Sequence, residues 1–407
     1  MARKMKVSGF EWIGEIPEGW ELTKVKRIFD IGRGRVISQQ ELTSVGYPVY
    51  SSQTKNNGCL GYISTYDFDK SQLTWTTDGV NAGTVFLREG KYNCTNVCGT
   101  LAPKNDTNDL RYLKYALEYI AFYHKRADIN GFKIMNNEMA EIELLLPPLF
   151  EQQNIANYLD FKCSQTQSIL EQSLFSIEEY KKLKQAVITQ AVTKTIYDDF
   201  GNPSKFRKLR SLCDVLSKGT TPKDIETQND EFYCIRYLKS ENIVSNQLNL
   251  NPTFFITAET NNSLERSKLN SGDILFVIAG ASIGKEAITT ADFLPANTNQ
   301  AVAFIRLSSS YQYATKYIWY FLQSDVVKQL IALSAVQSAQ PNLSLEDLGA
   351  MRLPLPDQMG CLKNTDYLDA KCAEIDKLIA KKEQLVKELE SYKKSLIYEV
   401  VTGKREV

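Results

Sequence analysis

The sequence is poor in the residues that metal and catalytic centres most often use. Among 407 residues there is one histidine, His124, and the eight cysteines are scattered along the chain. Cys94-x-x-x-Cys98 is the only close pair, whereas a structural zinc site normally needs a second pair of Cys or His ligands. We therefore expect no metal centre, and reduced, partly buried thiols without a disulfide framework.

The chain also lacks an excess of charge and a long apolar segment. Its 48 Lys and Arg balance 48 Asp and Glu, which argues mildly against nucleic-acid binding unless the basic residues gather on one face. The longest apolar stretch, residues 274–284, is too short to span a bilayer and fits a buried strand that leads into a turn. No apolar signal-peptide core follows the basic N-terminus. These features predict a cytoplasmic protein with no membrane partner.

What the chain does have is a long repeat. Tyr158-Leu159-Asp160-x-Lys162-Cys163 recurs 209 residues later as Tyr367-Leu368-Asp369-x-Lys371-Cys372. The segments before the two copies share only a thin skeleton, in which Lys24-Val25-x-x-Ile28 matches Lys208-Leu209-x-x-Leu212 and Gly34 matches Gly219. A constant frame with two variable inserts favours a protein that reads two different things at a fixed separation.

The pattern divides the chain into four blocks, at residues 1–149, 150–196, 197–355 and 356–407. The first and third mix short β-branched and aromatic runs with turn signals, which predicts two mixed α/β domains. The second has no Gly or Pro between Gln152 and Thr195, and the fourth runs to Thr402-Gly403, which predicts two long helices.

Apolar residues at alternating spacings of three and four indicate that these helices pair as an intramolecular coiled coil joining the two domains. A core helix docked on its own domain is the alternative for either helix taken alone. The predicted seam residues are Leu159, Leu170, Ile177 and Leu183 in the first helix, and Leu368, Leu378, Leu385, Leu389 and Leu396 in the second.

Two short motifs resemble those of enzymes but depart from them. Asn251-Pro252-Thr253-Phe254 is similar to the tetrapeptide with which amino-methyltransferases hold a flipped adenine, but the second proline is missing and no glycine-rich cofactor unit precedes it. The segment 280–286 is similar to a phosphate-cradling loop, yet it is one residue short and has Glu286 where a hydroxyl should bind magnesium. The sequence therefore favours a non-catalytic chain.

Three segments resemble the specificity subunits of type I restriction-modification systems. They are Ile16-Pro17-Glu18-Gly19-Trp20-Glu21, then Leu146-Pro147-Pro148-Leu149-x-Glu151-Gln152-x-x-Ile155-Ala156-x-x-Leu159-Asp160, and finally Tyr392-Lys393-Lys394-Ser395-Leu396-Ile397-x-Glu399-Val400-Val401-Thr402-Gly403-Lys404. Together with the duplication they cover essentially the whole chain. The second copy departs from the family pattern, because Asp357-Gln358-Met359-Gly360 stands where the family has a Pro-Leu-x-Glu-Gln start.

The resemblance implies a non-catalytic DNA sequence-specificity subunit. In this family each mixed domain is a target recognition domain for one half of a bipartite, asymmetric DNA site. The two helices form an antiparallel coiled coil, set the gap and bind two methyltransferase subunits. The expected partners are double-stranded DNA, two adenine-N6 methyltransferase subunits and, in a complete system, two restriction subunits. The chain itself needs no cofactor; S-adenosylmethionine, ATP and Mg²⁺ belong to the partners. The alternative from another class is a scaffold whose two heads bind proteins.

The expected DNA contacts come from aligned loops and from basic residues. The loop 280–285 aligns with residues 78–83, and Thr95-Asn96 aligns with Thr298-Asn299-Gln300. Carboxamides pair bidentately with adenine, and hydroxyls and lysines bind phosphates, although turn and cap chemistry is the alternative for each residue. Basic residues cluster near the start of each domain, at 24–35 and 205–218, and would supply a positive face. The predicted contacts are Arg33, Arg35, Asn81, Thr84, Asn96 and Lys133 in the first domain, and Lys218, Thr220, Thr221, Ser282, Lys285, Asn299, Gln300, Gln337, Gln340 and Asn342 in the second.

Overall fold

The computed structural model describes residues 3–9, 13–129, 131–194, 205–336 and 342–407. The chain forms two compact units, unit 1 (Met1–Ser173 with Gln384–Val407) and unit 2 (Leu174–Glu383). Each unit contains one mixed α/β head and a part of both long helices. The two recognition-domain blocks of the sequence are thus each packed on helix ends from both helical blocks.

The elements alternate short strands with short helices in each head. The strands are β1 (Met5–Val7), β2 (Glu15–Pro17), β3 (Glu21–Lys24), β4 (Phe29–Arg33), β5 (Tyr47–Tyr50), β6 (Cys59–Ile63), β7 (Gln72–Thr76), β8 (Asp78–Gly79), β9 (Val85–Arg88), β10 (Asn93–Cys94), β11 (Cys98–Pro103), β12 (Arg126–Asp128), β13 (Gly131–Lys133), β14 (Glu143–Leu146), β15 (Lys205–Lys208), β16 (Cys213–Lys218), β17 (Tyr233–Leu238), β18 (Ile243–Val244), β19 (Gln247–Leu248), β20 (Phe255–Thr257), β21 (Ile274–Val277), β22 (Glu286–Ile288), β23 (Ala296–Thr298), β24 (Val302–Leu307) and β25 (Arg352–Leu355). The helices are α1 (Val25–Ile28), α2 (Leu110–His124), α3 (Asn136–Glu141), α4 (Leu149–Thr193), α5 (Ala258–Ser263), α6 (Thr315–Leu322), α7 (Asp325–Val336), α8 (Leu345–Ala350) and α9 (Gln358–Val401).

The two heads share one sheet topology. Unit 1 has a four-stranded antiparallel sheet in the order β4-β11-β7-β9, and unit 2 has the same sheet in the order β16-β24-β21-β22. Beside it lies a three-stranded sheet, β10-β5-β6 or β23-β17-β20, in which the first pair of strands is parallel. The duplication therefore includes the heads, where the sequences share only a few matched positions. The predicted mixed α/β class with an internal repeat is confirmed.

The strands β7 and β21 are buried on both faces, and the residues of β21 are all apolar. Every residue of β7 and of β21 is buried. In unit 2 the side chains alternate, so that Ile274 and Phe276 enter the core under α6 and α7, while Leu275 and Val277 enter a second core under the small sheet. The apolar run that begins at residue 274, which the sequence predicts to contain a buried strand, starts with β21.

The repeated Tyr-Leu-Asp-x-Lys-Cys motif fastens each long helix to a head. Leu159 and Leu368 are completely buried. The next residue in each copy is an aspartate that accepts a hydrogen bond from the head. Tyr115 of α2 donates to Asp160 Oδ1 at 2.8 Å, and Tyr320 of α6 donates to Asp369 Oδ1 at 2.7 Å. The repeated motif thus supplies the helix residues of a contact between each long helix and its head.

The packing within each unit makes the two helices antiparallel. In unit 1 the start of α4 shares a core with Leu396, Val400 and Val401 from the end of α9. In unit 2 the end of α4 packs against the start of α9, where Lys184 forms an ion pair with Asp376 at 2.6 Å and Asn364 donates to the Ala191 carbonyl. The predicted antiparallel pairing holds in each unit.

The buried seam of α4 differs in part from the predicted one. Its buried residues follow a regular three-four spacing that includes polar side chains, Leu159, Cys163, Thr166, Leu170, Ser173 and Ile177. Leu183 is 49% exposed, and in α9 Leu378 is 37% exposed while its neighbour Ile379 is half-buried. The assignments of Leu183 and Leu378 to the seam are therefore wrong. Leu368 and Leu396 are buried, and Leu385 and Leu389 are half-buried.

The three segments that carry the family resemblance meet in unit 1. Trp20 donates its indole N–H to Glu151 Oε2 at 3.0 Å, and Arg3 forms an ion pair with the same carboxylate at 2.6 Å. Gly403 adopts φ +71°, and a Cβ placed there would lie 2.5 Å from Pro17. In unit 2 the residue corresponding to Glu151 is Gly360. Its amide donates to the carboxylate of Asp357, the residue just before α9. The departure from the family pattern therefore removes this contact.

Candidate DNA-recognition edges

One end of the four-stranded sheet in unit 1 collects several polar loops. The end of β4, the hairpin between β7 and β9, and the turn before β11 all lie at this end because Arg33 pairs with Gly99 and Thr76 pairs with Cys98. Since β10 runs parallel to β5, the connection from β5 to β6 leaves at the same end. We name these loops the loop edge of unit 1, residues 33–35, 51–58, 77–84 and 95–97.

Unit 2 has an equivalent edge, built by the same hydrogen bonds. In the two hairpins the Gly83 amide donates to Thr76 and the Gly284 amide to Val277, at 2.9 and 2.8 Å. Four glycines at corresponding positions have φ of +87° or +88°, a conformation that disfavours other residues, namely Gly79, Gly83, Gly280 and Gly284. The loop edge of unit 2 comprises residues 218–221, 278–285 and 299–301.

A second correspondence fixes how the turns before β11 and β24 align. The Cys98 amide donates to Thr95, and the Val302 amide donates to Asn299. Asn96 therefore corresponds to Gln300, and both side chains are exposed at the tip of the turn. Gly34 and Gly219 pack behind these turns, where a Cβ would lie 2.2 Å from the Cys94 carbonyl oxygen or 1.9 Å from that of Thr298. Only glycine fits there, which accounts for this pair in the sequence skeleton.

All six residues predicted as DNA contacts in the first domain lie at or beside the loop edge of unit 1, but most already have protein partners. Arg33 donates to Thr77 Oγ1 at 3.1 Å, and Arg35 forms ion pairs with Asp67 and Glu41. The Asn81 amide reaches the Ser52 carbonyl, Thr84 donates to the Asn81 carbonyl, and Lys133 pairs with Asp128. Asn96 is exposed. The basic charge at this edge is therefore largely balanced.

The predicted residues of the second domain also lie at their loop edge, with less internal pairing. Lys218, Thr220, Thr221, Lys285 and Gln300 are exposed, and Ser282 and Asn299 are half-buried. Neither Lys218 nor Lys285 forms an ion pair with the residues that the structure describes. Asn342 is exposed and bridges to Ala279 beside the hairpin. Gln337 and Gln340 lie outside the described residues.

The basic clusters near the start of each domain do not all reach the loop edges, so only part of the predicted positive charge lies there. Lys24 and Lys26 both form ion pairs with Glu141, at the end of β4 opposite to Arg33. In unit 2, Lys205 to Lys208 form β15 and pair with β25, before β16 begins. Only the residues at the far ends of β4 and β16 remain at the edges, because a strand separates residues five apart by about 17 Å.

Sequence reasoning missed the loop 51–58. It contains Ser51, Ser52, Gln53, Lys55, Asn56 and Asn57, and the last three are exposed. The signal was present as Asn56-Asn57-Gly58, which indicates a tight turn, and both asparagines adopt left-handed φ values of 50° and 54°. What the sequence did not show is that this turn lies beside Asn81 and Thr95.

The described part of the chain offers no other obvious centre. No group of three or more His, Cys, Asp or Glu side chains is arranged to hold a metal ion among the described residues. Within the same residues, no helix is both long and apolar enough to cross a membrane. The tetrapeptide at 251–254 has structural contacts, because Asn242 donates to the Pro252 carbonyl at 2.7 Å and Lys239 lies 3.5 Å from the Phe254 ring centroid.

The structure has two heads of one topology. Each head has polar loops at one edge of its sheet and packs on the ends of two antiparallel helices. A family model described as the type I restriction modification DNA specificity domain matches residues 17–179 and again residues 202–387. The chain therefore belongs to the type I restriction-modification DNA specificity family. It carries two copies of the domain that this model describes.

Individual relatives agree with this assignment. The Mycoplasma pneumoniae protein S.MpnORF507P, which carries a type I specificity subunit name, is 33% identical over 250 residues, 58% of this chain and 64% of that protein. The type I restriction enzyme MjaVIII specificity subunit of Methanocaldococcus jannaschii is 25% identical over 413 residues, 96% of this chain and 93% of its own. A solved chain from work on assembly and conformational transition of the type I R-M system has a TM-score of 0.73 at 13% identity, covering 96% and 99%. That structure shows the same fold.

Proposed function

We propose that this chain reads a bipartite, asymmetric DNA site, with one half-site bound by each loop edge, and directs adenine-N6 methylation and restriction by partner subunits. The observation that carries the proposal is the pair of equivalent edges. The hairpins and turns of the two edges form equivalent backbone hydrogen bonds, while the side chains that they display differ. Equivalent scaffolds with different polar surfaces suit the reading of two unlike sequences, because base identity is read by side-chain hydrogen bonds in the grooves.

The proposed contacts are polar residues at or beside each edge whose side chains are exposed or half-buried. In unit 1 they are Arg33, Asn81, Asn96 and Lys133, with Arg35 and Thr84 as supports of the loops. In unit 2 they are Lys218, Thr220, Thr221, Ser282, Lys285, Asn299, Gln300 and Asn342. Lys218 and Lys285 have no internal ion pair in the described structure, so they are free to bind phosphates.

The chemistry is assigned to the partners. Two methyltransferase subunits would bind equivalent surfaces on the two helix ends, because an internal repeat presents the same face twice. They would supply S-adenosylmethionine and flip the adenine, and restriction subunits would supply ATP and Mg²⁺. The specificity chain is proposed to carry no catalytic group and no cofactor, and to act in the cytoplasm, where chromosomal and incoming DNA are accessible.

The test is sequence-selective binding by the assembled complex. The site is first identified by methylome sequencing of the host with and without this gene. Binding of the specificity chain with its methyltransferase subunits is then measured on the split-site duplex and on a duplex with both half-sites scrambled, over a series of salt concentrations. We expect selective, salt-dependent binding of the split site. Equal binding of both duplexes would favour the two-headed protein scaffold instead.

A further inference from the structure

Unit 1 contains a buried arginine that has no carboxylate partner. Arg88, at the end of β9, is 2% exposed, and no acidic group lies within ion-pair distance among the described residues. Its Nη2 atom is buried without a hydrogen-bond partner. Removing a guanidinium from water costs several kcal/mol unless other contacts compensate for it, so the contacts that Arg88 does make are informative.

Those contacts hold the loop 51–58. Arg88 Nη1 donates to the Asn57 carbonyl at 2.7 Å, and its guanidinium carbon lies 3.5 Å from the Tyr50 ring centroid and 4.3 Å from that of Phe86. The ring of Tyr50, the last residue before the loop, thus fixes the plane of the guanidinium, and the guanidinium fixes the turn. A Cβ on Gly58 would lie 2.9 Å from Arg88 Nη2, so the backbone passes directly over the buried charge.

Further hydrogen bonds join the loop to the loop edge of unit 1. The Ser51 amide donates to the Gly58 carbonyl at 3.0 Å and closes the base of the loop. Thr95 donates to Ser51 Oγ at 3.1 Å, and the Asn81 side chain reaches the Ser52 carbonyl. Beyond this base, the side chains of Lys55, Asn56 and Asn57 are exposed and form no hydrogen bond with the described protein. A rigid backbone therefore presents two carboxamides and an ammonium to solvent.

We infer that Lys55, Asn56 and Asn57 contact the bases and backbone of the half-site read by unit 1, and that Arg88 is the residue that positions them. The inference rests on the proposed function and adds specificity-determining residues that the sequence did not reveal. Asparagine pairs bidentately with adenine in the major groove, and a fixed turn aims such side chains at low entropic cost. The ligand of these side chains is therefore a DNA segment of one or two adenine-containing base pairs.

Unit 2 does not contain this arrangement. The hairpin correspondence places Thr289 at the position of Arg88, and the connection between β17 and β20 has sixteen residues (239–254) where unit 1 has eight (51–58). Thr289 donates to the backbone of its own sheet. The effect of Arg88 is thus expected in one half-site only, which gives the experiment an internal control.

The experiment compares base discrimination at every position of both half-sites. Binding of the assembled complex is measured by competition against duplexes that carry each single base-pair change. In the Asn56→Gly/Asn57→Gly variant, glycine keeps the left-handed turn and removes only the carboxamides. We expect discrimination at one or two adjacent base pairs of one half-site to fall roughly 5- to 100-fold, with the other half-site unchanged. Asn105→Gly, which removes an exposed asparagine at the opposite end of β11, is the matched control and should change nothing.

Arg88→Met tests the positioning role, because methionine keeps the apolar stem and loses the hydrogen bonds. It should flatten discrimination at the same base pairs while the salt dependence of binding and the other half-site stay as in the wild type. Arg88→Lys, which retains the charge, should restore part of the discrimination and replaces the Met variant if that variant does not fold. Full discrimination in the folded glycine variant would overturn the reading role, and full discrimination in the folded Arg88 variants would overturn the positioning role. A wild-type complex without any sequence selectivity would instead overturn the proposed function.

Discussion

The two heads have one backbone plan but place their buried charges differently. In unit 2, Arg306 forms a bidentate pair with Asp273, whose side chain is 1% exposed, and this pair lies at the end of the sheet opposite to the loop edge. In unit 1 the position of Asp273 is taken by Gln72, and the buried cation is Arg88, which supports a loop. The two heads therefore keep the same hydrogen-bonded turns and differ in the buried polar residues that support the loop edge.

The largest expected effect is on the cores, where the heads are most alike. Leu159→Ala and Leu368→Ala each remove a completely buried side chain at the same place in the repeat. Each should lower the free energy of unfolding of its own unit by about 2–5 kcal/mol. The fluorescence of Trp319 reports on unit 2 when the three tryptophans of unit 1 are replaced by Phe. In that background, denaturant unfolding followed by Trp319 should shift for Leu368→Ala and much less for Leu159→Ala. Equal shifts would show that the units unfold together.

A pH effect should distinguish the heads. Glu286 in unit 2 stands where unit 1 has Val85; both are buried, and burial raises the pKa of Glu286 to about 8. Because the folded pKa lies above the unfolded one, stability is fully present below the unfolded pKa near 4.5 and is lost as the pH rises to about 8. Unit 2 should therefore lose up to about 2 kcal/mol between pH 6 and 7.5.

The control for this effect is Glu286→Gln, which keeps the shape and cannot ionise. In that variant the decline between pH 6 and 7.5 should disappear from the unfolding transition reported by Trp319. A decline that persists unchanged would mean that another group causes it.

A smaller effect is expected at the contacts that fasten the helices. Tyr115→Phe and Tyr320→Phe remove equivalent hydrogen bonds to the half-exposed carboxylates of Asp160 and Asp369. Each should cost its unit about 1 kcal/mol, measured by urea unfolding. Matching values would support the reading of the repeat as one duplicated contact, whereas a large cost in one unit alone would mean that the two contacts differ in context.

The smallest effect concerns phosphate binding. Lys218→Ala and Lys285→Ala should each reduce the slope of log affinity against log salt by roughly one, because each releases a counterion when it binds DNA. Arg35→Ala should reduce the slope less, since Arg35 already pairs with Asp67 and Glu41. A slope that is unchanged in both lysine variants would remove those side chains from the interface.

The sequence predicted the features whose side chains repeat, and missed those set by the backbone. The duplicated helices and their pairing are readable because apolar spacing encodes them, whereas their antiparallel direction follows from the family resemblance. The shared sheet topology was not, because antiparallel pairing depends on backbone register and tolerates different side chains, apart from glycines such as Gly34 and Gly219. Thr166 and Ser173 were missed in the seam because their polar character hides them from an apolar pattern.

The candidate site shows the same division. The predicted hairpin and turn residues of the described structure lie at the loop edges. The structural correspondence, Gly79 with Gly280 and Asn96 with Gln300, differs by one residue from the sequence alignment. The basic residues at 24–27 and 205–210 were misplaced, since closeness in sequence does not put residues at the same end of a strand. The loop 51–58 was overlooked because only the parallel pairing of β5 with β10 brings it beside the turn at residues 95–97.

An exchange of one head tests most directly whether each head reads its own half-site. Residues 205–355, which begin in β15 and end in its partner β25, are replaced by the corresponding head of another family member, and the methylated motif is sequenced in the host. We expect one half-site to change completely while the other half-site is retained. A motif in which both halves change, or a single continuous site in the wild type, would contradict the claim that each head reads its own half.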